Sequence, residues 1–335
     1  MARNPIISRA TCDWVIFPDA HEILTPESRD VIKDFLNQRD KHAGIDLLSP
    51  YIHLDVDEHG IPYLIFPRPM IFRNNKGIIF KDAVHNYLDT TEDKKAVAPQ
   101  IVLIHNMPES RKAARTDQRN EMNPAGLQSV LDDDPKDSRA LFYLGNTYFD
   151  LKMYDEAIEK YNKLLEYHEH GMNIDWLSHV YISLTAGYIR TEKLDNARAY
   201  AYEAMKMRWD RSEPYCHLGH ISYHQERYDE AAHWYRIATM IEPPVTAFFL
   251  LGEMYSIVPW EGLMLSLNAM GCLSEAVNAA RKVLEYKPND TQILRNIELM
   301  TEAIGSRAAQ DIMSKAGLKV SVRQDKGFAF AKGGA

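Results

Sequence analysis

Hydrophobic positions along the chain follow two different patterns. In the first 105 residues they come as short unbroken runs, Asp13-Trp-Val-Ile-Phe17 and Ile101-Val-Leu-Ile-His105. Both are rich in β-branched residues, the signature of strands, and Pro18 closes the first of them. Polar Asp19-Ala20-His21-Glu22 follows. A helix is then predicted from Pro26, with Thr25 as its cap. From 138 to 290 the pattern becomes self-similar: Ala140–Tyr167, Glu213–Pro243 and Cys272–Pro288 read as versions of one another.

The repeat has a packing logic. Gly145 precedes Ala157 by twelve residues, and Gly219 precedes Ala231 by the same twelve. Tyr161 and Tyr235 each follow four residues after those alanines. Small residues at Gly145, Ala157, Gly219 and Ala231 let two antiparallel helices approach closely, while Leu144, Tyr148 and Tyr161 fill the groove between them. Pro243 and Pro288 fall where the second helix of a unit must end. Four units fit, starting near Ser138, Ser178, Ser212 and Ile257, at offsets of 40, 34 and 45 residues. The longest offset reflects an insert around Phe248–Pro259. Helices near Met122–Leu131 and Thr291–Ile304 would cap the stack. This pattern resembles the tetratricopeptide repeat, and the resemblance implies an all-α superhelix with a concave face that binds a protein partner. Tyr143, Tyr181, His217, His220, Tyr223 and His224 could line that face or serve as packing residues. His217, His220 and His224 share one helix face, but no acidic or cysteine partner accompanies them for a metal.

The 45% apolar and 26% charged content is that of a folded globular chain. Three cysteines, Cys12, Cys216 and Cys272, form no CxxC pair, which excludes a zinc ribbon or a disulfide framework. The longest apolar stretch, 245–259, is interrupted by Glu253 and is too short for a membrane span. With no apolar leader at the N-terminus, the expected location is cytoplasmic. A net charge of −8 argues against general nucleic-acid binding. The charge is uneven: residues 305–335 carry six Lys/Arg against Asp311 and Asp325, which leaves −12 on residues 1–304. That segment is expected to be a flexible basic tail.

The first region carries the candidate chemistry. A strand that delivers Asp19 and His21 at its end is a layout in which two side chains can converge on one cation, and mixed O and N ligands suit Mn²⁺ or Mg²⁺. Ala2-Arg3-Asn4, Asp13-Trp14 and Asp19-Ala20-His21-Glu22 together resemble the middle of family-2 glycosyltransferases of GT-A fold. Arg68, Phe72-Arg73-Asn74, Gly77 and Val84-His85 extend the likeness.

The resemblance implies a partial GT-A (Rossmann-like) α/β domain over 1–118, the repeat domain over 119–304 and the tail over 305–335. It implies metal-dependent transfer of a sugar from a nucleotide-sugar donor to a peptide, glycan or lipid acceptor. Asp19, His21, His105 and His85 become metal ligands, the ion offsetting charge on the leaving diphosphate. Arg3, Asn4, Arg68, Arg73, Arg111 and Arg115 become substrate contacts. The family's glutamate after the histidine is replaced by Asn86, whose amide cannot take a proton, so the base falls to Asp82 or Glu22. The family's leading βαβ nucleotide-binding unit has no counterpart before Arg3. Two readings follow: a glycosyltransferase that needs a separate N-terminal half, or a catalytically inactive interaction scaffold. A partner would meet the repeat face or the exposed edge of the sheet.

Overall fold

The computed structural model describes residues 4–19, 21–37, 44–81, 87–89, 94–105, 124–167, 173–246 and 248–315. A curled sheet comes first. Its elements are α1 (Asn4–Ile7), β1 (Trp14–Ile16), β2 (Glu22–Leu24), α2 (Pro26–Asn37), β3 (Leu47–Val56), β4 (Pro62–Pro67), β5 (Ile71–Arg73), β6 (Ile79–Lys81), β7 (Tyr87–Asp89) and β8 (Lys95–His105). Strand β3 is the spine. It pairs antiparallel with β5 through Leu47 and Leu48, antiparallel with β4 from Tyr51 to Val56, and parallel with β8 along its other side. The outer pairings are antiparallel, β1 on β5 and β2 on β8, while β6 and β7 form a separate ribbon. Among the described strands, β3 and β8 make the one parallel pair. The sheet is therefore mixed, unlike the Rossmann-type layering the resemblance implies. Where β3 returns directly as β4, a tight turn suffices and no crossover helix is needed. Asp57 makes that turn by accepting from the backbone N–H of His59 (2.9 Å) and Ile61 (2.8 Å), and Gly60 supplies the positive φ of 84°.

Alternation along β3 divides the core. Leu48 and Ile52 face Met70, Ile71, Ile101, Leu103 and Ile32 of α2. Leu47 turns the other way, to Phe72, Ile78, Phe80 and Leu88. Helix α2 begins as its sequence suggests, with Thr25 Oγ1 accepting from the N–H of Ser28 at 3.3 Å. Strand β2 lies at one edge, three residues long and with Ile23 63% exposed. So short an edge offers little for edge-to-edge pairing.

The second region is helical. A helix over 124–133 (α3) leads into α4 (Ser138–Asp150), α5 (Tyr154–Tyr167), α6 (Ile174–Arg190), α7 (Leu194–Met207), α8 (Glu213–His224), α9 (Tyr228–Ala238), α10 (Ile257–Ala269), α11 (Leu273–Tyr286) and α12 (Thr291–Lys315). Helices α4 to α11 form four antiparallel pairs. The second pair starts at Ile174 rather than near Ser178, because the Asn173 side chain caps it by accepting from Asp175 N at 2.8 Å. The closing helix continues past Ile304 to Lys315.

Each pair turns in the same way. Lys152, Glu192, Glu226 and Gly271 all adopt left-handed φ values between 59° and 74°. Each left-handed N–H and the one after it bond back to the closing turn of the first helix, as in Lys152 N to Phe149 O and Met153 N to Tyr148 O. The four turn residues are spaced 40, 34 and 45 apart, the offsets read from the repeat. Glycine is required at the crossings for a separate reason. A Cβ on Gly145 would lie 2.6 Å from the Tyr161 ring, one on Gly219 would lie 2.8 Å from Tyr235, and one on Gly262 would lie 2.2 Å from Tyr235. Ala157, Ala197, Ala201, Ala204 and Ala231 are fully buried. Small residues thus set the interhelical distance throughout.

The insert between α9 and α10 joins the two regions. Leu250–Leu251 (β9) pairs antiparallel with Ile65 and Leu64 of β4. Gly252 follows, so close to Pro62 that a Cβ there would lie 2.0 Å from the Pro62 carbonyl oxygen. Tyr51 of β3 accepts from Thr246 N at 3.1 Å and donates to Pro244 O at 3.3 Å.

Candidate functional sites

Beyond β1 the chain stays beside the Arg68-Pro69-Met70 link between β4 and β5, two strands that each pair with β3, and Phe17 N extends the β1–β5 pairing by donating to Met70 O at 2.9 Å. Arg68 reaches toward the residues that follow. Its Nη1 donates to Asp19 Oδ2 at 2.8 Å, and its Nη2 donates to Glu22 Oε2. The same Glu22 oxygen accepts from the Asp19 N–H at 2.7 Å, and the Glu22 side chain is fully buried. The β2–β8 register then sets Glu22 opposite His105, with His105 Nδ1 3.4 Å from Glu22 Oε1. That spacing brings an ion-pair partner within reach without a formed hydrogen bond. The His21 and His105 rings meet edge to face with centroids 4.1 Å apart. Burial is the main cause that pushes the His105 imidazole below its ordinary value. His21 adds to this, and Glu22 pulls in the opposite direction.

Asp19, His21, Glu22, Arg68 and His105 therefore form one polar cluster at the edge of the sheet. His21 Nε2 and Glu22 Oε1 are buried there with no hydrogen-bond partner among the described residues. Positive charge between the two carboxylates is supplied by Arg68. Among the described residues no three His, Cys, Asp or Glu side chains are arranged to hold a metal ion. A divalent ion bound at Asp19 would have to displace the Arg68 guanidinium.

The other sequence candidates divide between two fates. Asn4 clamps the backbone of Phe80, donating to its carbonyl (3.0 Å) and accepting from its N–H (2.9 Å). Arg73 donates to Ile45 O at 3.0 Å, pairs with Asp46 at 3.3 Å and lies 4.6 Å over the Trp14 ring. Both side chains are thus engaged away from the cluster. Arg3, Asp82, His85, Asn86, Arg111 and Arg115 lie outside the described residues.

A second candidate site is the groove formed by the first helices of the repeats, α4, α6 and α8. Phe142 of α4 packs edge to face with Trp176 (5.5 Å) and His179 (5.7 Å) of α6. Burial pushes His179 down to about 3, so the ring is neutral at ordinary pH. At the start of α8 a buried ion pair closes the groove. Arg211 Nη2 donates to Glu213 Oε1 at 2.6 Å, and Tyr255 OH donates to Glu213 Oε2 at 2.6 Å. Further along α8, burial also pushes His217 and His220 down to about 4 each. The His220 and His224 rings lie 4.3 Å apart. Sequence reasoning missed the Arg211–Glu213 pair and His179. Their only local signal was two opposite charges two residues apart, which usually marks a solvated turn.

Residues 138–170 match the family model for the tetratricopeptide repeat. The chain is similar to a crystal structure of MamA, with 21% identity over 56% of this chain and 98% of that one, at a TM-score of 0.44. It is similar to YrrB, titled a TPR protein with an unusual peptide-binding site, with 17% identity over 55% of this chain and 86% of that one, at 0.43. A thermophilic TPR protein of Thermus thermophilus shows 18% identity over 58% of this chain and 94% of that one, at 0.41. No curated protein matches the chain. Residues 138–170 thus carry the tetratricopeptide pattern, and the helix pairs after them repeat the same left-handed turn; a strand-rich curled sheet precedes them. Among the described residues no helix is long and apolar enough to cross a membrane.

Proposed function

We propose that the chain is an interaction scaffold whose repeat array holds a peptide or protein partner. One observation carries this reading: four helix pairs share the same left-handed turn and, five residues after it, a fully buried alanine (Ala157, Ala197, Ala231 and Ala276), which aligns their first helices side by side. Tyr143, His220, Tyr223 and His224 remain at least partly exposed on those helices. They offer aromatic and imidazole surface at low entropic cost, the composition favoured in binding patches. Selection of displayed peptides on the full chain tests the reading. Binding of the selected peptides should weaken by at least about tenfold in a Tyr223→Ala/His224→Ala variant. No selectable ligand, or ligands indifferent to every first-helix substitution, would overturn it.

A second reading concerns the polar cluster. Asp19, His21, Glu22 and His105 come together from two distant segments, with His21 Nε2 and Glu22 Oε1 left unpartnered among the described residues. In the glycosyltransferase reading Asp19, His21 and His105 would take Mn²⁺ or Mg²⁺ beside a nucleotide-sugar, with Glu22 or Asp82 as base, and would have to rearrange around Arg68 to do so. The ion would supply charge to the leaving diphosphate. Calorimetric titration of Mn²⁺ with a nucleoside diphosphate is expected to show binding that Asp19→Ala abolishes. Equal binding in wild type and variant removes Asp19 as a ligand, and silence in a donor-hydrolysis assay with Mn²⁺ removes the activity.

A further inference from the structure

The insert between the third and fourth repeats does more than connect them. Phe248 lies across two first helices, its ring 5.4 Å from Phe142 of α4 and 4.8 Å from His179 of α6. Phe249 sits 5.0 Å from His179 and 4.4 Å from Phe248. The Phe249 carbonyl accepts from Arg211 Nη2 at 2.7 Å, just before α8 begins. The next two residues are the extended pair of β9. The segment 248–251 thus lies against α4, α6 and the start of α8 before it pairs with the sheet. It places two adjacent aromatic rings in an aromatic pocket and gives a backbone carbonyl to a buried guanidinium. These are the contacts of a bound peptide, made by the chain to itself.

The fit is good for the apolar part of the groove and incomplete for the polar part. Trp176 Nε1, His179 Nδ1 and Arg211 Nη1 are buried with no hydrogen-bond partner among the described residues. Buried polar groups are rarely left unpaired, so a ligand that brings the same rings together with an acceptor group would satisfy what the chain's own segment does not. We infer that residues Phe248–Leu251 act as a ligand in cis. The groove they fill accepts from another protein an extended segment with two adjacent aromatic residues and a nearby acceptor, a carboxylate by preference. The inference rests on reading the repeats as a partner-binding array, and it adds both the class of partner and the fact that the groove starts out occupied.

The test uses the full chain and a fluorescein-labelled peptide of residues 244–256. A Phe248→Ala/Phe249→Ala variant should bind this peptide at least about tenfold more tightly than wild type, read by anisotropy. A version of the peptide with Asp at the position of Thr246 should bind the variant more tightly still, and adding His179→Ala should abolish both. If the double variant fails to fold by circular dichroism, Phe248→Leu replaces it with the same expectation. Hydrogen exchange on wild type gives an independent readout. The amides of Leu250 and Leu251 should open at lower free energy than the core of α6. Equal protection in the two segments, or a folded variant that binds no better than wild type, overturns the cis-ligand inference. Selected peptides that bind wild type and variant equally well sink this inference alone, whereas absence of any ligand for either sinks the scaffold reading beneath it.

Discussion

Glu213→Ala is expected to lower the free energy of unfolding by about 3–5 kcal/mol, read as a fall in the urea midpoint. The reason is the company the carboxylate keeps. Burial pushes it up, but the Arg211 charge, its hydrogen bonds and the Tyr255 hydroxyl hold it below the usual carboxylate range. Arg211 is itself fully buried and uses Nε, Nη2 and the Phe249 carbonyl around the pair. Removing Glu213 leaves a guanidinium with no counter-charge in the interior, which costs far more than the pair contributes. A double change, Arg211→Met with Glu213→Leu, should recover most of the loss. A double variant as unstable as the single would mean that the cost comes from packing at the insert and not from the stranded charge.

Acid should destabilise the fold well before its carboxylates are protonated. His179 and His217 are buried, and burial is the main cause that pushes them down to about 3 and about 4. The nearby Arg211 pushes His179 further in the same direction. Between their ordinary value near 6.5 and these folded values, the unfolded chain binds protons that the folded chain does not. Stability is therefore at its full value above about pH 6.5 and falls as pH drops. His220, pushed down to about 4 by burial, acts in the same way. Each histidine contributes about 1.4 kcal/mol per pH unit, or roughly 4 kcal/mol per unit for the three between pH 6 and 4.5. Urea titrations at pH 7.5, 6.0, 5.2 and 4.5 measure the slope. His179→Phe keeps an aromatic ring among Phe142, Phe248 and Phe249 and should cut it by about a third. An unchanged slope would show that other groups drive acid unfolding.

The helical half was legible because its determinants are local. A glycine, an alanine twelve residues on and a tyrosine four beyond that specify a helix hairpin without reference to anything distant, and Gly145 with Tyr161 shows the contact directly. Gly262 escaped notice because its tyrosine, Tyr235, belongs to the preceding pair. Within the sheet, the apolar runs at Trp14 and Ile101 were readable. The pairing that makes the sheet mixed was not, since the partner of a strand is set by turns and chain crossings. Asp19, His21 and Glu22 were visible as a local group, and the β2–β8 register brings His105 to them. Arg68 looked like a residue awaiting a substrate, yet it neutralises Asp19 and Glu22. Arg211 and Glu213 were invisible for the opposite reason: charged residues are read as surface until their burial is seen.

The pairing of β9 with β4 also bears on the order in which the molecule assembles during synthesis. Tyr51 and Pro244 are 193 residues apart in the chain and touch in the folded protein. At about 5–20 residues per second, translation leaves the β4 edge without its neighbour for roughly 10–40 s after it emerges. The helix pairs can form one by one in that interval, because each depends on its neighbours alone. The sheet cannot finish until the third pair is complete and the insert has left the ribosome. Nascent chains halted before Leu250 should therefore present a sticky strand to chaperones, and that exposure should vanish once β9 is available.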